Sequence, residues 1–478
     1  MRRSVLAAVL LFVLVAATAP RARAADAPST RPAAAAHVVL ITIDGFPAAL
    51  LDDPKAPVPT LRALAKQGTV AAAGMRVINP SITWPNHTTL VTGVRADKHS
   101  VLFNGVLTRP GGGRPVRVDP ARDQADLVAV PTVFDLLHKA GHRTAAINWP
   151  CTRNSPTLDD NFPDVPDQVR HTTPRLRDEL AAAAVLPDPT DPAFKALSSP
   201  ARDQVWTAAA CRVVRDRRPE LLLFHLLVVD GLHHSYGPGS AAGYTGLALA
   251  DRHVRDVLEA LDAAGIRDRT TVFVVADHGF ATATTLVNPN VMLRQAGLLT
   301  AGPTGVAGAK AVSVSEGGTA LVYLDDRATA DAERAKLVEL FRGKEGIEQV
   351  LGPADFGRLG LPTPDRSAQA PDLVLAAKPG YAFSDLATGD LAVAPVVSGR
   401  QNLGYHGYLA ENPKMNALFI AAGRGVRPGG RVDGVANVDV APTIARLLGH
   451  DMPGTDGKVL ADVLLPEFAA PAGAAPAR

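Results

Sequence analysis

Several short apolar runs in this chain end on a side chain able to ligate a metal, and that repeated pattern constrains the fold more than any other feature. Ile41-Thr-Ile-Asp44-Gly, Val229-Asp230-Gly-Leu-His-His234 and Val275-Ala-Asp277-His278-Gly show it most clearly. Ser81-Ile-Thr83-Trp-Pro-Asn-His and Gly404-Tyr-His406-Gly add a hydroxyl and a further imidazole. A carboxylate at the end of a buried strand is costly to desolvate unless something binds it. Three carboxylates, three imidazoles and one hydroxyl are the inventory that two adjacent divalent ions and an activated nucleophile require. The pattern therefore predicts a two-metal hydrolase.

The intervening sequence predicts an α/β protein. His37 to Ile43, Thr144 to Ile147, Leu221 to Val229, Thr271 to Ala276 and Ala417 to Ala421 are continuous apolar runs of the kind buried in a parallel sheet. Val254, Val257, Leu258 and Leu261 recur at helical spacing before Gly265, and Val133 to Ala140 likewise stops before Gly141. Strands alternating with helices place a mostly parallel sheet between helices on both faces, with sites beyond the carboxyl ends of the strands. Residues 288–394 differ, with Gly- and Pro-rich connections, a helix-like stretch from Ala328 to Phe341 and a strand-like Asp372 to Ala376. They read as a smaller inserted cap lobe between a first core part, 36–287, and a second, 395–465. The Ala/Pro tail 466–478 lacks a core pattern and reads as disordered.

Arg2 and Arg3, an apolar run from Val5 to Ala17 and the Ala22-Arg-Ala24 end have the layout of a cleavable export signal spanning residues 1–24. That run is too short for a stable membrane span. Its removal takes the chain from 49 basic and 47 acidic groups to 45 and 47, since four arginines and no acids are lost. A net charge of about −2 gives no electrostatic reason for binding a nucleic-acid duplex. The expected location is periplasmic or secreted, where Cys151 and Cys211 either pair or remain free. Oligomeric state is open.

Each candidate also has a structural reading. Asp44 before Gly45 suits a turn, and Thr83 before Trp84-Pro85 suits a helix cap. A helix start, however, also offers free N–H groups to a phosphate. Of His233 and His234, the second lies four residues after Asp230 and shares its face on a helical turn.

Pro80-Ser-Ile-Thr83-Trp-Pro-Asn-His-Thr-Thr-Leu-Val-Thr-Gly93, with Asp44-Gly-Phe before it and Asp97-Lys-His-Ser-Val-Leu-Phe-Asn104 after it, resembles the nucleotide pyrophosphatase/phosphodiesterase family of the alkaline phosphatase superfamily. Later motifs agree, including Val287-Asn-Pro-Asn and Val438-Asp-Val-Ala-Pro-Thr443. The resemblance implies an alkaline-phosphatase-like core and two Zn2+ ions. One ion would be held by Asp44, Asp277, His278 and Thr83, the other by Asp230, His234 and His406. Thr83 would be the nucleophile that carries a phosphoryl intermediate. Asn104 and a backbone N–H near Trp84 would hold a phosphoryl oxygen, and Trp84 would stack on a nucleobase.

The substrate implied is a small phosphodiester or nucleotide. Ile147-Asn-Trp-Pro-Cys-Thr-Arg153 lacks the Lys that monoesterase relatives use against a second phosphate charge, which favours diesters, with Arg153 as a substrate-binding candidate. A phosphomonoesterase or lipid-headgroup phospholipase on the same core is the alternative, and a silent metal-bearing binding protein is a third reading. Phe224-His-Leu-Leu-Val-Val lacks the Tyr and acidic pair of nucleotide-cleaving relatives, and Ser100 replaces their usual Gly.

Overall fold

The computed structural model describes residues 35–303, 305–326 and 330–471. The expected export signal and the end of the expected tail lie outside the described residues. The architecture is built on one eight-stranded sheet. In chain order its strands are β1 (His37–Ile43), β2 (Thr69–Ala71), β3 (Thr144–Pro150), β4 (Asp160–Asp164), β5 (Leu221–Leu226), β6 (Thr270–Val275), β7 (Phe419–Gly423) and β8 (Gly430–Val432). Across the sheet they lie in the order β8-β2-β7-β6-β1-β5-β3-β4.

The central strand β1 pairs in parallel with β5 and β6, with Ile41 opposite Phe224 on one side and Val274 on the other. Only β7 runs against its neighbours. All residues of β1, β5 and β6 are buried, as expected for strands covered on both faces. Parallel pairing brings the ends of these three strands to one edge. Asp44 follows β1, Asp230 follows β5 and Asp277 follows β6.

Four helices position the rest of that edge: α1 (Thr83–Thr92), α2 (Ser199–Arg217), α3 (Val228–Tyr236) and α4 (Ala241–Ala263). The apolar run beginning at Leu221 stops being a strand at Leu226 instead of continuing to Val229. Asp203 on α2 is the cause, because its carboxylate accepts the backbone N–H groups of Leu227 and Val228, each at 3.0 Å. A carboxylate satisfying two amides at a helix start favours the turn over the strand. Burial raises the Asp203 carboxyl to about 7 even so.

Residues of 288–394 build a separate four-stranded antiparallel sheet from Ala311–Ser315, Thr319–Leu324, Leu373–Ala377 and Ile347–Leu351, in that order. Thr285–Val287 pairs with both Tyr381–Phe383 and Val393–Pro395. The chain thus leaves the core and returns through one small sheet. The tail begins later than its composition suggests. Pro466–Ala469 forms a helical turn, Phe468 is buried, and the Arg424 guanidinium lies 5.3 Å from its ring centre. The Phe468 ring and a hydrogen bond from Arg446 Nη1 to the Ala469 carbonyl at 2.7 Å dock the segment.

Cys151 and Cys211 are both buried free thiols. The Cys151 thiol accepts from the Thr88 hydroxyl, and the Cys211 thiol faces the Asp256 carbonyl.

Ser100 closes the short Ala96–His99 helix with φ of 70°, in the left-handed region that favours glycine. Ser100→Gly is expected to raise unfolding free energy by about 1 kcal/mol, the usual cost of that conformation for a residue with a Cβ. Chemical denaturation of the two proteins checks this.

Candidate active site

Asp44, Asp277 and His278 form a buried cluster at the carboxyl edge of β1 and β6. His278 Nε2 lies 3.3 Å from both Asp44 Oδ1 and Asp277 Oδ2. On α3, Asp230 and His234 are one turn apart, with His234 Nε2 3.4 Å from Asp230 Oδ1. His406 Nε2 reaches the same oxygen at 3.7 Å, and the His406 and His278 rings stack 3.9 Å apart. His278 therefore belongs geometrically to two groups, Asp44–Asp277–His278 and Asp230–His278–His406.

His233 points elsewhere, its Nδ1 bonding the Gly45 carbonyl at 3.0 Å. His234 Nδ1 bonds the Gly404 carbonyl at 3.0 Å, which orients the ring and leaves Nε2 for a ligand. Gly45 has φ of +64°, and a Cβ there would stand 2.4 Å from the Phe280 ring. This ring in turn packs edge-on against His234 and His406.

The electrostatics of the cluster are unbalanced. Burial first, then the charges of Asp277 and Asp230, push the Asp44 carboxyl well above the usual carboxylate range. Burial also raises Asp230 and Asp277, against the pull of His234 on one and His87 on the other. Desolvation lowers His278 to about 4 and holds His406 well below its usual value. Both Asp44 oxygens, Asp230 Oδ1, Asp277 Oδ2 and His278 Nε2 are buried without a hydrogen-bond partner. Unpartnered carboxylate oxygens facing neutral imidazole nitrogens form a donor set suited to divalent cations.

Thr83 opens α1, every residue of which is buried. Asn104 Oδ1 accepts the Trp84 backbone N–H at 2.9 Å, so the amide expected beside Asn104 as a second phosphoryl donor is already engaged. The Asn104 side chain itself is exposed. His87 on the next turn donates from Nδ1 to the Thr83 carbonyl at 2.9 Å and stands 3.5 Å from Asp277 Oδ2. Beneath it, the Thr42 hydroxyl touches His87 Nε2 at 2.8 Å and His225 Nδ1 at 2.9 Å, while His225 Nε2 lies 3.4 Å from Asp44 Oδ2. This buried Thr42–His87–His225 layer supports both carboxylates. Sequence reasoning missed it because its three residues fall in separate segments, although a histidine inside the apolar β5 run was a visible signal.

Two expectations need correction. The Trp84 indole is only 4% exposed, packs with Val101, Leu127, Cys151 and Val165, and donates Nε1–H to Asp164 at 3.1 Å. The residue also borders a cavity beside Asn104. Arg153 pairs with Asp123 and does not line the cavities beside Asn104. The cations that do are Lys195, paired with Asp167, and Arg202, whose Nε is buried without a hydrogen-bond partner.

Asn104 stands between two cavities. One, of about 440 Å3, is bordered by Trp84, Asp164, Phe194 and Arg202, and the other, of about 510 Å3, by His234, His406, Glu316 and Asp385. A third, about 700 Å3 and mainly apolar, is walled by Phe280, Leu51 and Phe419 and contains none of the candidate ligands.

Among solved structures, murine ectonucleotide pyrophosphatase/phosphodiesterase 5 superposes with a TM-score of 0.67 at 16% identity, covering 90% of this chain and 100% of that one. Its inactive variant in complex with AMP gives the same TM-score at 17% identity, with coverage of 90% and 100%. The fold is therefore that of an alkaline-phosphatase-like α/β protein. The sequence profile described as type I phosphodiesterase / nucleotide pyrophosphatase matches residues 38–409. The chain belongs to this family.

Venom phosphodiesterase 2 of Crotalus adamanteus is 24% identical over 243 residues, 51% of this chain and 26% of that protein. Ectonucleotide pyrophosphatase/phosphodiesterase family member 1 of Homo sapiens is 22% identical over 241 residues, 50% of this chain and 23% of that protein. The matched segment thus spans about a quarter of the length of these relatives.

In metal-free protein at neutral pH, Asp44→Asn is expected to stabilise the fold by about 1 kcal/mol or more, because it removes a buried ionisable carboxyl that Asp277 and Asp230 repel. The sign follows from linkage: a carboxyl raised in the folded state loses stability as pH climbs through its shifted value. Saturating divalent cation is expected to reverse the order of the two proteins in thermal denaturation.

Proposed function

We propose that this protein is an exported, two-zinc phosphodiesterase or nucleotide pyrophosphatase that works through a phosphothreonine on Thr83. The observation that carries this reading is the placement of Asn104 between two cavities at the start of α1. A phosphodiester has two substituents on phosphorus and needs two places to put them. Arg202 borders the cavity on the Trp84 side, away from the His234–His406 pair. That arrangement suits the group retained on phosphorus, and AMP bound to the murine relative is a substituent of the corresponding class. Export agrees with the leader-like N-terminus and with venom proteins among the relatives.

Asp44, Asp277, His278 and Thr83 would hold one zinc ion, and Asp230, His234 and His406 the other. When bound, the ions supply positive charge that makes the Thr83 hydroxyl more acidic and lowers the charge cost of the leaving oxygen. The protein's own residues do the rest. Thr83, fixed by the first turn of α1, directs its oxygen at phosphorus, forming a P–O bond as the ester bond to the leaving alcohol breaks. Asn104, anchored through Oδ1 on the Trp84 amide, has its Nδ2 donors left for a non-bridging oxygen. His87 ties the Thr83 backbone to Asp277, so nucleophile and ligand move as one body. Water then cleaves the phosphothreonine and restores the hydroxyl.

Thr83→Ala is expected to lower kcat by at least 1,000-fold on a nucleotide p-nitrophenyl diester while zinc content measured by mass spectrometry changes little. Wild-type kcat/KM is expected to favour that diester over p-nitrophenyl phosphate. Preference for the monoester would point instead to a phosphomonoesterase.

A further inference from the structure

The cavity beside His234 and His406 has an unusual lining. Glu316 and Asp385 both border it, and no Lys or Arg does among the described residues. Among the described residues neither acid forms an ion pair, and the charge that acts on Glu316 is that of Asp385. Asp385 Oδ1 accepts the Ser315 amide at 2.7 Å, which fixes its direction, while among the described residues no hydrogen bond holds the Glu316 carboxylate. The Glu316 main chain is clamped to the site itself. Gly318 donates its N–H to the His406 carbonyl at 2.8 Å. A Cβ on Gly407 would fall 1.7 Å from the Glu316 carbonyl, and one on Gly317 would fall 2.5 Å from the His406 carbonyl. The acids are therefore held at a set place relative to a candidate ligand.

From the proposed function, on which this rests, the leaving alcohol departs toward the Asp230–His234–His406 side, opposite the Thr83 oxygen. Whatever that alcohol carries enters this cavity. Burial and the neighbouring Asp385 raise the Glu316 carboxyl well above the usual carboxylate range, and burial raises Asp385. The pair therefore disfavours an anion and gains most from a cation that comes with the substrate and favours its ionised form. Phe383 and Tyr405 complete the wall, and aromatic rings also favour a cationic group. We propose that Glu316 and Asp385 are specificity-determining residues that select phosphodiesters whose leaving alcohol bears an ammonium group and reject those whose leaving group is anionic. On this basis nucleoside triphosphates, which would expel diphosphate into the acidic cavity, are poor substrates.

The test uses phenylphosphonate monoesters, in which only one ester bond can break. The full chain loaded with zinc is given esters of choline, of its neutral isostere 3,3-dimethylbutanol and of 4-hydroxybutanoate. The expected kcat/KM for the choline ester exceeds that of the neutral ester at least tenfold, with the carboxylate ester slowest. The ratio of choline to neutral ester is expected to fall to within about twofold in the Glu316→Gln/Asp385→Asn double variant. Calorimetric binding of tetramethylammonium to the same proteins is a second readout, expected to weaken at least tenfold in the double variant.

Equal turnover of the choline and neutral esters, or a preference that survives in the double variant, overturns the proposal, as does absence of tetramethylammonium binding. If no ester is cleaved but tetramethylammonium binds and the double variant loses it, the phosphodiesterase reading fails while the cation-selective cavity stands.

Discussion

Three carboxylates, two buried and one partly so, converge on one edge of the sheet without enough positive charge to balance them, and much of the architecture serves that crowding. Asp44, Asp230 and Asp277 arrive there because β1, β5 and β6 are adjacent and parallel, so their ends coincide. Hydrophobic burial of the three strands fixes the position, and the same burial denies the carboxylates water. Folding energy from the sheet thus maintains an arrangement that the acids alone would not adopt. Such local conflict between stability and arrangement is typical of sites that wait for a ligand.

The support beneath the edge is polar yet wholly buried. Helix α1 exposes no residue, although it contains Thr83, Asn86, His87, Thr88, Thr89 and Thr92. Its hydroxyls bond within the helix or to the following turn, and Asn86 holds the Ile78 amide and the Pro80 and Ile82 carbonyls. His87 bonds outward to the layer shared with Thr42 and His225. A buried polar network this densely bonded is stiff, and its unpartnered atom, His225 Nε2, faces Asp44. Stiffness here keeps the Thr83 end of the helix in register with Asp277.

Much of this was legible because a metal ligand at a strand end leaves a local mark: an apolar run, an acid or imidazole, then a glycine. The parallel sheet and the gathering of Asp44, Asp230, His234, Asp277, His278 and His406 follow from that mark and from strand order. What stayed hidden depends on partners distant in sequence. Arg153 looked available until Asp123 was seen to occupy it. Trp84 looked like an exposed ring, but Asp164, which follows from a different strand, holds its indole inward. Glu316 carries no motif at all, and only the packing of its turn on His406 brings it to the cavity.

The contact between the Glu316–Gly318 turn and the His406–Gly407 segment is made through backbone, with glycines where any side chain would collide. Interlocking main chains fix distance without prescribing which side chains project from them. Apart from those glycines, the turn is therefore a mutable interchange. Substitutions at Glu316 or Asp385 can alter which molecules are admitted while the histidine's carbonyl, and hence its ring, keeps its place, so new selectivity can evolve here without rebuilding the catalytic floor.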